Sequence, residues 1–222
     1  MSSSPQQHGQ GVSSGPSAGE TPAPHIRDIE RARWAEKSSA QFVSGADFQE
    51  LKTLHRLHVV GVTGFSGQWS DQKIASDQTI REDALAATSL IRDHLEALKA
   101  QYGSRLVLSS GATMEGVPKI IYQLCEQLGI DAMGVTSAKA IDYQLGKMRY
   151  LVVEGDDWGQ ESATFLRTSD ELIMIGGGGQ AKREAIAACT EAKPVTIFQG
   201  FKGTADQLTA AEAPGALFVA RH

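Results

Sequence analysis

The sequence predicts an α/β protein: a Rossmann-like, doubly wound, mainly parallel sheet of six to seven strands in a three-layer arrangement. Three observations carry this. Short apolar runs alternate with segments of helical period from residue 57 onward. The apolar runs do not alternate with polar residues, which marks strands covered on both faces. Several of these strands end in glycine-bearing turns, and ligands of such sheets sit at the carboxyl ends of the strands.

Leu57–Val62 is the first strand, followed by Thr63-Gly-Phe-Ser-Gly67. Ala84, Ala87, Ile91, Leu95 and Leu98 recur at spacings of three and four, predicting a helix over 81–100. Leu106–Leu108 is a strand stopped by Ser109-Ser-Gly-Ala-Thr113. Val117, Ile120, Ile121, Leu124, Cys125 and Leu128 form a second stripe, with Pro118 in the first turn and Gly129 as the C-terminal cap. Strands follow at 130–135 and 150–153, a short helix at 161–167, and a strand at 171–175 that ends in Gly176–Gly179. A helix over 181–192 stops before Pro194, and strands at 195–198 and 216–219 complete the series. This Rossmann-like unit spans 57–222.

Ahead of it, residues 1–24 are Ser, Gly, Pro and Gln with Glu20 as the sole charged side chain. Such a segment buries too little apolar area to offset chain entropy, so a disordered tail is expected. It lacks the apolar core of a secretory signal. Residues 25–56 read as a partly helical N-terminal arm, with Ile26, Ile29 and Trp34 along one side of a helix over 28–37.

Composition narrows the function. The 222 residues carry a net charge of −5, which disfavours a sequence-independent nucleic-acid binder. No apolar run approaches the ~18 residues of a membrane span. A cytoplasmic protein is therefore expected. Cys125 and Cys189 cannot make a disulfide framework and read as buried thiols. Six histidines show no metal-ligand spacing, so no metal is expected.

Glycine is the outlier, at 23 of 222 residues against a usual ~7%. Four are in the tail. Nine lie in three turns: Gly61, Gly64 and Gly67; Gly111 and Gly116; and Gly176, Gly177, Gly178 and Gly179. Glycine lets backbone N–H groups approach a phosphate, and a helix N-terminus adds partial positive charge. A nucleotide-type ligand is the expected cofactor-like occupant, held by Gly64, Ser66, Gly67, Ser110, Gly111, Ala112, Thr113, Met114, Gly116, the four consecutive glycines and Gln180. Tight turns needing positive φ explain any single one of these equally well. None of the three has the G-x-G-x-x-G or G-x-x-x-x-G-K-[ST] spacing.

Glu161 and Glu184 open neighbouring predicted helices at one sheet edge. Carboxylates there could assist N-glycosidic cleavage or contact ribose, so both are catalytic candidates. Acidic residues in a helix first turn are also favoured by the dipole alone. Glu115 and Asp156-Asp157 are further carboxylates, and Lys119, Lys182 and Arg183 are available cations. Trp158 and Tyr143 lie in loops after strands and are candidates to stack on a base.

The segment Thr168-Ser-Asp170-Glu-Leu-Ile-Met-Ile-Gly176-Gly-Gly-Gly179-Gln-Ala-Lys-Arg-Glu184 resembles the S-D-x-x-I-x-L-P-G-G-x-G-T-x-x-E signature of the LOG superfamily. That grouping holds cytokinin-activating phosphoribohydrolases and molybdenum-cofactor carrier proteins. Leu106 to Val117 is similar to the G-G-x-x-G-L-M-G turn there, and to the S-G-G-A-x-G-I-D turn of bacterial DNA-processing proteins. The resemblance covers about 57–200 and implies a Rossmann-like fold, a phosphate site, and a homodimer or higher homo-oligomer. The chain departs from the signature. Ile175 replaces its proline and Gln180 its threonine; straight pairing sets Arg183 at the glutamate, which Glu184 meets with a one-residue slip. The hydrolases' M-H-x-R-K motif falls on a segment where Glu161 and Ser162 occupy the R-K positions, so the catalytic arginine is missing. The resemblance thus implies a carrier or sensor of a nucleotide-derived phosphate ligand, with a nucleotide hydrolase of the phosphoribohydrolase type as the alternative. A single-strand DNA-binding protein is a third class, disfavoured by charge.

Overall fold

The computed structural model describes residues 26–221; the tail expected over 1–24 lies outside the described residues. Eight strands form one sheet: β1 (Gln41–Phe42), β2 (His58–Gly64), β3 (Leu106–Ser110), β4 (Asp131–Thr136), β5 (Tyr150–Val153), β6 (Glu171–Ile175), β7 (Val195–Gln199) and β8 (Leu217–Ala220). Their order is β1-β5-β4-β3-β2-β6-β7-β8, and every pairing is parallel. The Rossmann-like class is as expected, with eight strands in place of six to seven. The extra strand is β1, two residues long and too short to carry a pattern. It forms because Gln41 donates its N–H to the Arg149 carbonyl and Val43 donates to that of Leu151.

Among the described residues, seven α-helices accompany the sheet: α1 (Ile26–Lys37), α2 (Gly45–His55), α3 (Asp71–Ser76), α4 (Gln78–Tyr102), α5 (Gly116–Leu128), α6 (Ser162–Thr168) and α7 (Gly179–Thr190). Side-chain caps explain two starts. The Asp77 carboxylate accepts from the Thr79 and Ile80 N–H groups, so α4 begins three residues before its apolar stripe implies. Ser44 and Asp47 exchange the reciprocal bonds of a capping box at α2. Residues 26–55 therefore contribute two helices and an edge strand.

The inner strands β2 to β7 each serve two cores, which is why they read as continuous apolar runs. Val60, Leu108, Ala132 and Leu151 face a layer built from α4 and α5, joined by Trp34 of α1. Val59, Val107, Met133 and Val152 face α2, α6 and α7 through Phe48, Phe165 and Ala185. Cys125 and Cys189 are free and buried within these layers; burial, then the nearby Asp131 charge, pushes the Cys125 thiol up to about 12. His58 stacks on Tyr102 with ring centroids 3.7 Å apart.

Chain direction across the sheet reverses at β2. The chain runs β2, β3, β4, β5 to one side, then returns to place β6 on the other. A crevice opens at the carboxyl ends of strands at such a switch point. The turns flanking it pack on one another through Phe65. A Cβ at Gly176 would sit 2.4 Å from the Phe65 ring, and φ there is +60°. Gly176→Ala is therefore expected to destabilise the fold by about 2 kcal/mol or more, read as a lower urea midpoint at unchanged slope.

Candidate functional site

The cleft at the switch point is lined by the ends of β2, β3 and β4 and by the opening turns of α5, α6 and α7. It encloses about 720 Å³, counted out to its open mouth.

Its floor is acidic. Glu184 and Glu161 are buried, with 4% and 6% of their surface exposed. Thr63 Oγ1 donates to Glu184 Oε2 at 2.6 Å, and Ser162 Oγ donates to Glu184 Oε1 at 2.6 Å. Gln180 Nε2 lies 3.0 Å from Glu184 Oε1 and 3.0 Å from Glu161 Oε1. The Gly159 N–H donates to Glu161 Oε2 at 2.8 Å. One amide thus ties the two carboxylates together. The local sequence explains the arrangement. Gln180 and Glu184 are four apart on α7 and so share a face, while Glu161 is the residue just before α6.

The register of α7 decides which of Arg183 and Glu184 faces the cleft. The tetraglycine delivers its last member, Gly179, as the first helical residue. Glu184 then turns inward and is buried, whereas Arg183 is exposed. The structure thus brings Glu184 into the cleft, and the slip does not aim it elsewhere. A helix's first N–H groups have no acceptor within it, and α7 opens without a side-chain cap. Thr204 engages the other side of this turn, donating its N–H to the Gly177 carbonyl and its hydroxyl to that of Gly178.

Of the expected ligand-binding residues, the cleft brings together Gly64, Ser66, Ser110, Gly111, Ala112, Thr113, Gly178 and Gln180 with Glu161, Glu184 and Trp158. Gly67, Met114, Gly116, Gly176, Gly177, Gly179 and Tyr143 do not line it. Steric constraint accounts for several. A Cβ on Gly116 would lie 2.3 Å from the Phe65 carbonyl oxygen, and one on Gly177 2.6 Å from the Ala181 side chain. Met114 is held by its N–H to the Gln144 carbonyl. Gly178 differs: nothing lies within 4 Å of its Cβ position. Tyr143 packs edge-on against Trp158 at 5.7 Å beside the mouth.

Three of the other charged candidates are engaged elsewhere, and Arg183 is exposed. Lys119 pairs with Asp71 and Lys182 with Glu212. Asp157 pairs with Lys139, whose hydrogen bond, with the Trp158 N–H, holds that carboxyl below its usual range. Among the described residues, no Lys or Arg side chain lines the cleft, and no cluster of three or more His, Cys, Asp or Glu is placed to hold a metal.

Sequence reasoning missed Thr63, Ser162 and Thr136. Thr63 and Thr136 are polar residues at the carboxyl ends of otherwise apolar strands, and that position was the available signal. Thr136 is 1% exposed, lines the cleft, and its Oγ1 has no partner among the described residues.

The fold defines the chain as a Rossmann-like α/β protein with a cleft at its switch point. No protein-family model and no curated protein matches the sequence. Solved structures do share the fold. A structural-genomics target, TM1055, superposes with a TM-score of 0.55 at 20% identity, over 74% of this chain and 92% of its own. A molybdenum cofactor binding protein from Rippkaea orientalis gives 0.52 at 18%, over 74% and 90%. The molybdenum cofactor carrier protein from Chlamydomonas reinhardtii gives 0.51 at 17%, over 75% and 91%. No helix among the described residues is long and apolar enough to cross a membrane.

The two threonines at the strand ends are expected to behave oppositely. Thr63→Val strips a donor from buried Glu184 and should cost about 1–3 kcal/mol. Thr136→Val breaks no internal bond and should stay within about 0.5 kcal/mol of wild type. Paired chemical denaturation curves check both.

Proposed function

We propose that the protein is a carrier or sensor that holds a nucleotide-derived phosphate ligand in the switch-point cleft. One observation carries the reading: the open position at Gly178 sits where uncapped α7 amides meet a buried pair of hydrogen-bond acceptors. A phosphate lies on the amides that open α7, where the helix dipole favours an anion. The glycosyl or base portion extends toward Glu161 and Glu184. Trp158, 43% exposed, covers the base at the mouth, with Tyr143 behind it. The cofactor carriers that share the fold support a ligand-holding role.

A second reading, a nucleotide hydrolase of the phosphoribohydrolase type, is favoured by the convergence of Glu161 and Glu184. It lacks the arginine of the hydrolase motif. A homo-oligomer is carried with either reading; sedimentation velocity checks it.

Denaturing the purified protein and identifying released small molecules by mass spectrometry is the primary test, and a nucleotide-type molecule is expected. Gly178→Val should melt cooperatively yet release none, because a side chain there projects into free space and occupies the cleft. Equal ligand recovery from a folded Gly178→Val protein sinks the site. Incubation with AMP, ADP-ribose and NAD then separates the two readings, since free base or ribose phosphate appears only for the enzyme.

A further inference from the structure

Among the described residues, the floor of the cleft carries two buried carboxyl groups and no Lys or Arg side chain. Glu161 and Glu184 share the Gln180 amide, yet every group that touches them is neutral: Thr63, Ser162, Gln180 and the Gly159 backbone. The nearby lysines already have carboxylate partners, Lys119 with Asp71, Lys139 with Asp157 and Lys182 with Glu212. Adjacent buried negative charges are costly without a compensating positive charge. A second observation points the same way. Thr136 Oγ1 is buried, lines the same cleft and has no partner, a vacancy in hydrogen bonding that an occupant fills.

The walls constrain the shape of that occupant. Val62, Val135, Phe165 and Ala181 give the cleft an apolar wall, against which a ring can pack. Trp158 at the mouth offers a ring face, which attracts cations. Gly179 and Glu184 are five residues apart, about 7.5 Å of helix rise, so one mononucleotide-sized molecule reaches from the α7 amides to the floor.

We propose, resting on the ligand-binding reading above, that the occupant is zwitterionic: its anionic end lies on the amides that open α7, and a cationic, planar nitrogen heterocycle lies against Glu161 and Glu184. The heterocycle supplies the positive charge that the chain withholds, and its polar substituent partners Thr136. A ligand with a neutral ring leaves the two carboxylates uncompensated and binds more weakly.

The test is calorimetric titration of the full chain with nicotinamide mononucleotide, its reduced form and AMP. The first two share phosphate and ribose and differ in the ring, a cationic pyridinium in one and a neutral dihydropyridine in the other. The oxidised form is expected to bind at least tenfold tighter than the reduced form. Glu184→Gln should bring that ratio below about threefold, and Glu161→Gln carries the same test if that variant does not fold. Thr136→Val should weaken both forms and leave the ratio in place. Equal affinity for the two forms overturns the inference while leaving the nucleotide reading intact. So does binding of the reduced form or AMP that appears only with added Mg²⁺, because a metal ion then neutralises the floor. No binding by any of the three removes the nucleotide reading and the inference with it.

Discussion

The cleft depends on how one residue, Phe65, joins three turns. Its carbonyl accepts the Val117 N–H at 2.6 Å and so occupies the N-terminus of α5. Its ring fills the hollow over Gly176 and Gly203, where a Cβ would come within 2.4 and 2.5 Å. Gly116 backs directly onto the Phe65 and Ser66 carbonyls. The turns after β2, β3 and β6 are therefore a single packed unit. Close packing of this kind admits no added methyl group without displacement of its neighbours. Several of the glycines exist for this contact. The Phe65 carbonyl thus occupies an opening amide of α5, whereas α7 opens beside Gly178 with no side-chain cap.

From that constraint the acidic floor follows. Gly176 and Gly177, at φ of +60° and +82°, turn the chain sharply enough to start α7 at Gly179. That start fixes which residues face inward, and Gln180, Ala181 and Glu184 line the cleft together. One residue along an α-helix is about 100° of rotation. A different starting point would have put Arg183 over the floor beside Glu161 and cancelled its net charge. The register of a single helix thus decides whether the site is acidic or neutral.

Most of the architecture was legible because its signals are local and repeated. Apolar runs without alternation gave the doubly covered strands, and the stripe from Val117 to Leu128 gave α5 from its Gly116 start to its Gly129 cap. β1 escaped because two residues carry no period; it exists through backbone bonds to a strand more than a hundred residues away. The site was half legible. Glycine at strand ends located the crevice, and the carboxylates were visible as helix-opening residues. The division of labour among the glycines was not, because the φ angles and the ring packed against Gly176 are set by tertiary contact. Thr63 and Thr136 were hidden for a different reason. A lone threonine in a strand reads as a β-branched filler, and only the sheet order shows which of them reaches the open edge.

The hydrogen bonding of the floor favours holding over cleaving. N-glycosidic hydrolysis asks a carboxylate to activate water or to face a developing positive centre. Glu184 accepts two hydroxyl donors and lies within reach of an amide, so much of its lone-pair capacity is already committed. Gln180 Nε2 sits between the two carboxylates, 3.0 Å from each, occupying space that a shared water would need. Donors so arranged hold a carboxylate still. They also preorganise it, since little side-chain freedom remains to be lost when a ligand arrives. Among the described residues the floor has fixed acceptors, no lining cation and an unpaired hydroxyl nearby, an arrangement that suits the holding role proposed above. The hydrolase reading requires that the amide between the carboxylates be displaced first.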